Sequence, residues 1–168
     1  MMMSEPNSSP RAAAQAPQKL GLGELCVLAG TGTVRTLLGS CIGLVLYDQK
    51  QRVGGMAHIV LPVSNGSDHP PGKYATTAVP ELIRGIEAAG GRPRHLSAKL
   101  AGGANMFASS TSNGIGEQNL AMVERLLKES AIPIFARHCG GQQGRKLTYT
   151  VETGIVVVEV VGGNPIEI

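Results

Sequence analysis

The strongest hydrophobic pattern in the chain is a pair of apolar runs, residues 42–47 and 53–61, separated by the polar residues 48–52. Runs of that length, rich in Val, Ile and Leu and split by charged side chains, predict two strands joined by a short turn. With the turn centred between Gln49 and Lys50, Cys41 falls opposite His58. Residues directly opposed on an antiparallel pair have Cβ atoms about 4.5–5.5 Å apart. That pairing depends on the register, because a one-residue slip would move one side chain to the other face. Upstream, residues 24–28 and 33–38 read as strands flanking a turn at 30–32, and 63–72 read as a polar loop. From 74 to 89 the apolar positions Ala75, Ala78, Val79, Leu82, Ile83 and Ile86 form a helical stripe. Pro80 implies either a kink or a start near Thr77, and Gly90 and Gly91 stop the helix. Residues 96–100 predict a strand that runs into Gly102-Gly103. Residues 115–129 predict a second helix, with Asn113 as candidate cap and Leu120, Val123, Leu126 and Leu127 facing inward. A strand at 132–137 and a hairpin of 146–152 with 155–160, turning at Thr153-Gly154, complete the chain. Many strands with two helices set between them predict an α+β fold with mixed sheets and helices on one face.

Composition sharpens this picture. Residues 1–19 carry almost no large side chain that could bury surface, so they predict a disordered tail ahead of a folded domain at 20–168. The 168 residues suit one domain with its own core. With 23 glycines and 3% aromatic residues, that core is built from thin, closely packed layers. A net charge of +3, without a basic run or an aromatic ladder, argues against nucleic acid as the partner. No apolar stretch is long enough for a membrane span, and the N-terminus has no apolar signal region. Three cysteines are too few for a disulfide scaffold and lack zinc spacing. An odd count suits a reducing compartment, so the expected location is the cytoplasm.

Among the thiols, Cys26 lies inside an apolar run and reads as a small core hydrophobe. Cys139 follows His138, but adjacent side chains on an extended chain point apart. Cys41 follows Gly39 and Ser40, small residues that let another backbone approach and leave amide N–H groups free. Free N–H groups beside a nucleophile are what an oxyanion hole requires. His58 has Gly54, Gly55 and Ala57 as neighbours, which leave space on its strand; the alternative is a hydrogen-bonded histidine without chemistry. His69 and His95 read as solvated, and Asp68-His69 is too isolated for a metal site. Gly102-Gly103 lacks the Lys-Ser/Thr of a phosphate loop and reads as a close turn.

Several motifs then fall in one order: Leu38-Gly39-Ser40-Cys41, Leu46-Tyr47-Asp48, Gly54-Gly55-Met56-Ala57-His58, Leu61-Pro62, Pro71-Gly72-Lys73-Tyr74, the stretch 99–107, Asn113-Gly114-Ile115-Gly116 and Glu152-Thr153-Gly154. From about Gly21 onward the chain resembles the CheD family of chemoreceptor glutamine deamidases. The resemblance implies a three-layer αββ fold shared with glutamine-deamidating bacterial toxins. It implies hydrolysis of selected glutamine side chains to glutamate in methyl-accepting chemotaxis receptors, with no metal or organic cofactor. The family uses a Cys, a His and a Thr. The first two correspond to Cys41 and His58. Ungapped alignment puts Arg35 where the Thr is expected; Thr36 beside it is taken as the third residue, with Thr33 as another candidate. On this reading His58 and local N–H groups lower the Cys41 pKa, the thiolate attacks the carboxamide, and the backbone N–H groups of Ser40 and Cys41 hold the oxyanion. Because the receptor glutamines lie on helical bundles, loops after Leu61, at 102–112 (including Gly102, Gly103 and Asn105) and at 140–145 are expected to line the substrate groove. The phosphatase CheC is an expected partner. The competing readings are another Cys–His amidase or peptidase, and a non-catalytic adaptor binding CheC or receptors.

Overall fold

A computed structural model describes residues 16–67, 69–106 and 114–168. Among the described residues, ten strands and two α-helices follow one another as β1 (Gln18–Lys19), β2 (Leu25–Ala29), β3 (Thr33–Leu38), β4 (Ile42–Asp48), β5 (Val53–Ile59), α1 (Ala75–Ala88), β6 (Ser97–Gly102), α2 (Ile115–Glu129), β7 (Ile134–Cys139), β8 (Arg145–Thr150), β9 (Ile155–Val160) and β10 (Ile166–Glu167). They form two five-stranded mixed sheets, an inner one in the order β2-β5-β4-β6-β7 and an outer one in the order β1-β3-β8-β9-β10. The α+β class read from the sequence therefore holds. Gln18 and Lys19, placed in the tail by composition, form the edge strand β1 beside β3. The candidate cap Asn113, together with Asp68, lies outside the described residues; Gly114 is the residue that opens α2.

The inner sheet is apolar on both faces because both are covered. Every residue of β4 and of β5 is buried. On one face Ile42, Leu44, Leu46, Ala57 and Ile59 pack against α1 and α2. On the other, Val45, Tyr47 and Met56 pack against Val34, Leu38, Leu147, Tyr149 and Val158 of the outer sheet. The layers thus run helices, inner sheet, outer sheet. The outer sheet has one wet face, so its strands alternate: in β3 Val34, Thr36 and Leu38 are buried, whereas Leu37 is exposed. The helix α1 starts at Ala75 rather than Thr77, and Pro80 sits inside it. Gly90, at a positive φ of 103°, then turns the chain, and the Gly91 N–H donates to the Ile86 carbonyl. Among the described residues no helix is long and apolar enough to cross a membrane.

Two features bring the sheets close. Gly43 and Gly54 point at the outer sheet. A Cβ on Gly43 would lie 2.5 Å from Leu147 and 2.9 Å from Leu38, and one on Gly54 would lie 2.1 Å from the Tyr149 hydroxyl. Side chains of the outer sheet fill the space those glycines leave, so the low aromatic content is matched by a narrow gap.

Candidate active site

The hairpin of β4 and β5 forms, but two residues out of the expected register. Gly43, not Cys41, is the residue opposite His58. The turn is therefore centred one residue later than the polar break suggested. A shift of two preserves the face: Cys41 packs against the inter-sheet cluster, and His58 turns toward the same gap. The two become diagonal neighbours, for which the Cα separation is about 7–8 Å and the Cβ separation less.

His58 is held from several directions. Its backbone N–H donates to the Glu24 carbonyl at 2.9 Å, and its carbonyl accepts from Gly23 at 3.0 Å. Opposite it, Gly43 gives up its side-chain space to Leu147, which is the cross-strand partner of Thr36. This lets Thr36 reach across from the outer sheet. Its Oγ1 lies 2.7 Å from the Leu20 carbonyl oxygen and 2.6 Å from His58 Nδ1. A carbonyl can only accept, so the single hydroxyl proton goes to Leu20 and the threonine oxygen accepts Nδ1–H. The ring is thereby fixed in one tautomer, with Nε2 carrying the free lone pair. Nε2 is buried and has no hydrogen-bond partner among the described residues. Thr36 is 4% exposed and His58 2%. Burial pushes the His58 pKa below its ordinary value, with the Glu24 carboxylate opposing in part. The imidazole is neutral at pH 7, as a proton acceptor must be.

Cys41 departs from expectation in one respect. Its thiol is pushed up, not down, because burial disfavours the thiolate. Sulfur and ring are therefore both neutral at rest, and a thiolate forms only as its proton leaves. Around Cys41 the backbone is fastened at three places. The Gly39 carbonyl accepts from Ala104 at 3.0 Å, and the Cys41 carbonyl accepts from Gly103 at 2.9 Å. The Ser40 carbonyl accepts from Asn119 Nδ2 at 3.2 Å, and the same amide donates to the Val60 carbonyl at 2.9 Å. One fully buried side chain of α2 thus ties the segment before Cys41 to the segment after His58.

A cleft of about 550 Å³ opens onto this assembly, with His58 and Thr36 at its base and Leu20, Gly21 and Leu22 along one side. Arg35, Leu37 and Lys146 form the other side, and Lys19 completes the rim. Cys41 is not in the wall of that cleft, and neither are the expected groove residues Gly102, Gly103 and Asn105. Gly102 and Gly103 instead support the Cys41 backbone: a Cβ on Gly102 would come within 2.1 Å of the Cys41 carbonyl oxygen. Asn105 is tied through its N–H to the Gly141 carbonyl. Thr33 faces away, 3.3 Å from Thr150. His95 is not solvated but lies 3.4 Å from Asp48. Among the described residues no three His, Cys, Asp or Glu side chains gather as a metal site requires.

Sequence reasoning missed two contributors. The Leu20 carbonyl is a backbone group, invisible to residue type. Asn119 sits on a helix whose pattern drew attention to its leucines and valine.

A family model described as CheD chemotactic sensory transduction matches residues 60–160. The chain is 42% identical over 145 residues to the chemoreceptor glutamine deamidase CheD of Thermotoga maritima, covering 86% of this chain and 92% of that protein. It is 42% identical over 148 residues to a probable chemoreceptor glutamine deamidase CheD of Geobacillus kaustophilus, covering 83% and 90%. A similar match, 42% over 142 residues, is found to the chemoreceptor glutamine deamidase CheD of Halalkalibacterium halodurans, covering 80% and 88%.

Proposed function

The chain belongs to the CheD family, and from that premise we propose that it hydrolyses the side-chain amide of glutamines in chemoreceptors, using Cys41 as nucleophile and His58 as base. The observation that carries the assignment of roles is the unpartnered, buried Nε2 of a histidine whose other nitrogen is pinned by Thr36. As the Cys41 sulfur attacks the carboxamide carbon, its proton passes to Nε2. The carbonyl oxygen becomes an oxyanion, held by backbone N–H groups at Ser40 and Cys41. Nε2–H then protonates the departing nitrogen, ammonia leaves, and a thioester remains. Water, deprotonated by the same Nε2, cleaves the thioester to glutamate and regenerates the thiol. Thr36 orients the ring throughout without touching the substrate. The starting state is a neutral pair, so proton transfer and attack are coupled. The resemblance also supports CheC as a partner whose seat over the His58 cleft would exclude receptor.

Incubation with receptor cytoplasmic fragments, followed by peptide mapping, tests this reading. The wild type converts particular glutamines to glutamate and leaves the chain intact, whereas Cys41→Ala does not. Receptor fragments cut at the backbone would favour a peptidase; conversion by Cys41→Ala at the wild-type rate would remove the thiol from the mechanism.

A further inference from the structure

The mouth of the His58 cleft carries a charge arrangement that the proposed chemistry does not use. Lys19 on β1 and Arg35 on β3 are register partners in a parallel pair. Neighbouring strands lie about 4.8 Å apart, and like charges placed side by side are destabilising. Neither cation has an ion-pair partner among the described residues. The nearby Glu24 carboxylate is turned back to the Gly21 N–H at 2.7 Å. Lys146, on the far side of Leu37, pairs with Glu159 at 3.0 Å. Two unneutralised cations therefore stand together on the rim of a cleft that ends at His58. Beside them Leu22 and Leu37 are 68% and 73% exposed. An arrangement that costs stability in the free protein is relieved by an anion brought there from outside.

We propose that Lys19 and Arg35 read carboxylates flanking the target glutamine, so that the enzyme selects glutamines one helical turn from Asp or Glu. The proposal rests on the deamidase reading of the site. On a helix, positions three and four apart share a face, about 5–6 Å between Cβ atoms. A glutamine side chain that reaches toward His58 thus presents those neighbours on the same face, beside the two cations at the cleft mouth. Leu22 and Leu37 take the apolar residues of the same helix face.

The test uses helical peptides with one glutamine and either Glu or Ala three and four positions away. Ammonia release gives kcat/KM for the wild type, and anisotropy of labelled peptides on Cys41→Ala gives binding without turnover. The acidic peptide should be preferred roughly three- to tenfold for two exposed pairs, with the preference shrinking as salt rises. Lys19→Gln with Arg35→Gln should reduce the ratio toward one, and Lys19→Glu with Arg35→Glu should turn it toward a Lys-flanked peptide. Equal kcat/KM on both peptides, with Cys41-dependent turnover intact, overturns the proposal alone. Turnover by Cys41→Ala equal to wild type overturns the deamidase mechanism, while the binding ratio still decides the role of the rim. The salt series on the wild type needs no variant and guards against a variant that fails to fold.

Discussion

Replacing Thr36 by Val keeps the shape of the side chain and removes one oxygen. That oxygen accepts Nδ1–H from His58 and donates to the Leu20 carbonyl, at 2.6 and 2.7 Å, in a buried setting. With Val in place, Nδ1–H would be a buried donor without an acceptor, a state that costs about 1–3 kcal/mol. The ring escapes by moving its proton to Nε2, which removes the lone pair that the proposed mechanism uses as base. Restoring the productive tautomer then costs that same energy in each turnover. Since every 1.36 kcal/mol is tenfold in rate, kcat should fall by about 5- to 150-fold. KM should change little, because Thr36 acts on the ring and not on the substrate. Thr36→Ser retains the hydroxyl and should recover most of the rate. Steady-state ammonia release on a receptor fragment measures both parameters, and near-ultraviolet circular dichroism reports whether the variant is folded. A folded Thr36→Val enzyme with kcat within about twofold of wild type would refute the tautomer argument.

Further outcomes follow from the site and its frame. The His58 pKa is lowered and the Cys41 pKa raised, so the neutral pair prevails from below 6.5 to above 9.0, and kcat/KM should form a plateau over that interval. Iodoacetamide should label Cys41 slowly at neutral pH and faster only as pH passes 9.0; full-rate labelling already at pH 7 would reveal a thiolate–imidazolium pair instead. For stability the signs are opposite in pH: the His58 contribution is lost as pH falls from 6.5 toward the folded value, and the Cys41 contribution as pH rises through 9.0. Asn119→Leu removes the amide that donates to the Ser40 and Val60 carbonyls, so melting should show a loss of about 1–3 kcal/mol, with a lower kcat as the segments bearing Cys41 and His58 loosen. Gly43→Ala places a methyl group where Leu147 and Leu38 now sit, and denaturant titration should show about 1–3 kcal/mol of destabilisation from overpacking.

What could be read from the chain was what local patterning determines. The β4–β5 hairpin, the second helix at its observed bounds and the common face of Cys41 and His58 all follow from hydrophobic periodicity. The register did not, because turn geometry shifted the pairing by two residues, a change that leaves the alternation of faces untouched. Ungapped alignment points to Arg35, with Thr36 only its neighbour. They separate only because alternate residues of β3 face different layers, and which face is inner is set by the tertiary packing. Asn119 carried no periodic signal, since its partners are main-chain carbonyls of distant segments. The rise in the Cys41 pKa was equally hidden: the sequence shows a small-residue approach to the thiol but not the outer sheet that dries it.

His58 and the Thr36 hydroxyl that holds it belong to different sheets. A chain in which the inner sheet alone had formed would possess its thiol and its ring yet lack a defined proton acceptor. On the proposed mechanism, competence therefore requires the two sheets to be docked, not only the hairpin to be formed. Slack introduced far away, under Val158 or Tyr149 on the inner face of the outer sheet, should lower turnover as well as stability, which makes the reaction itself a gauge of how firmly the two sheets are seated.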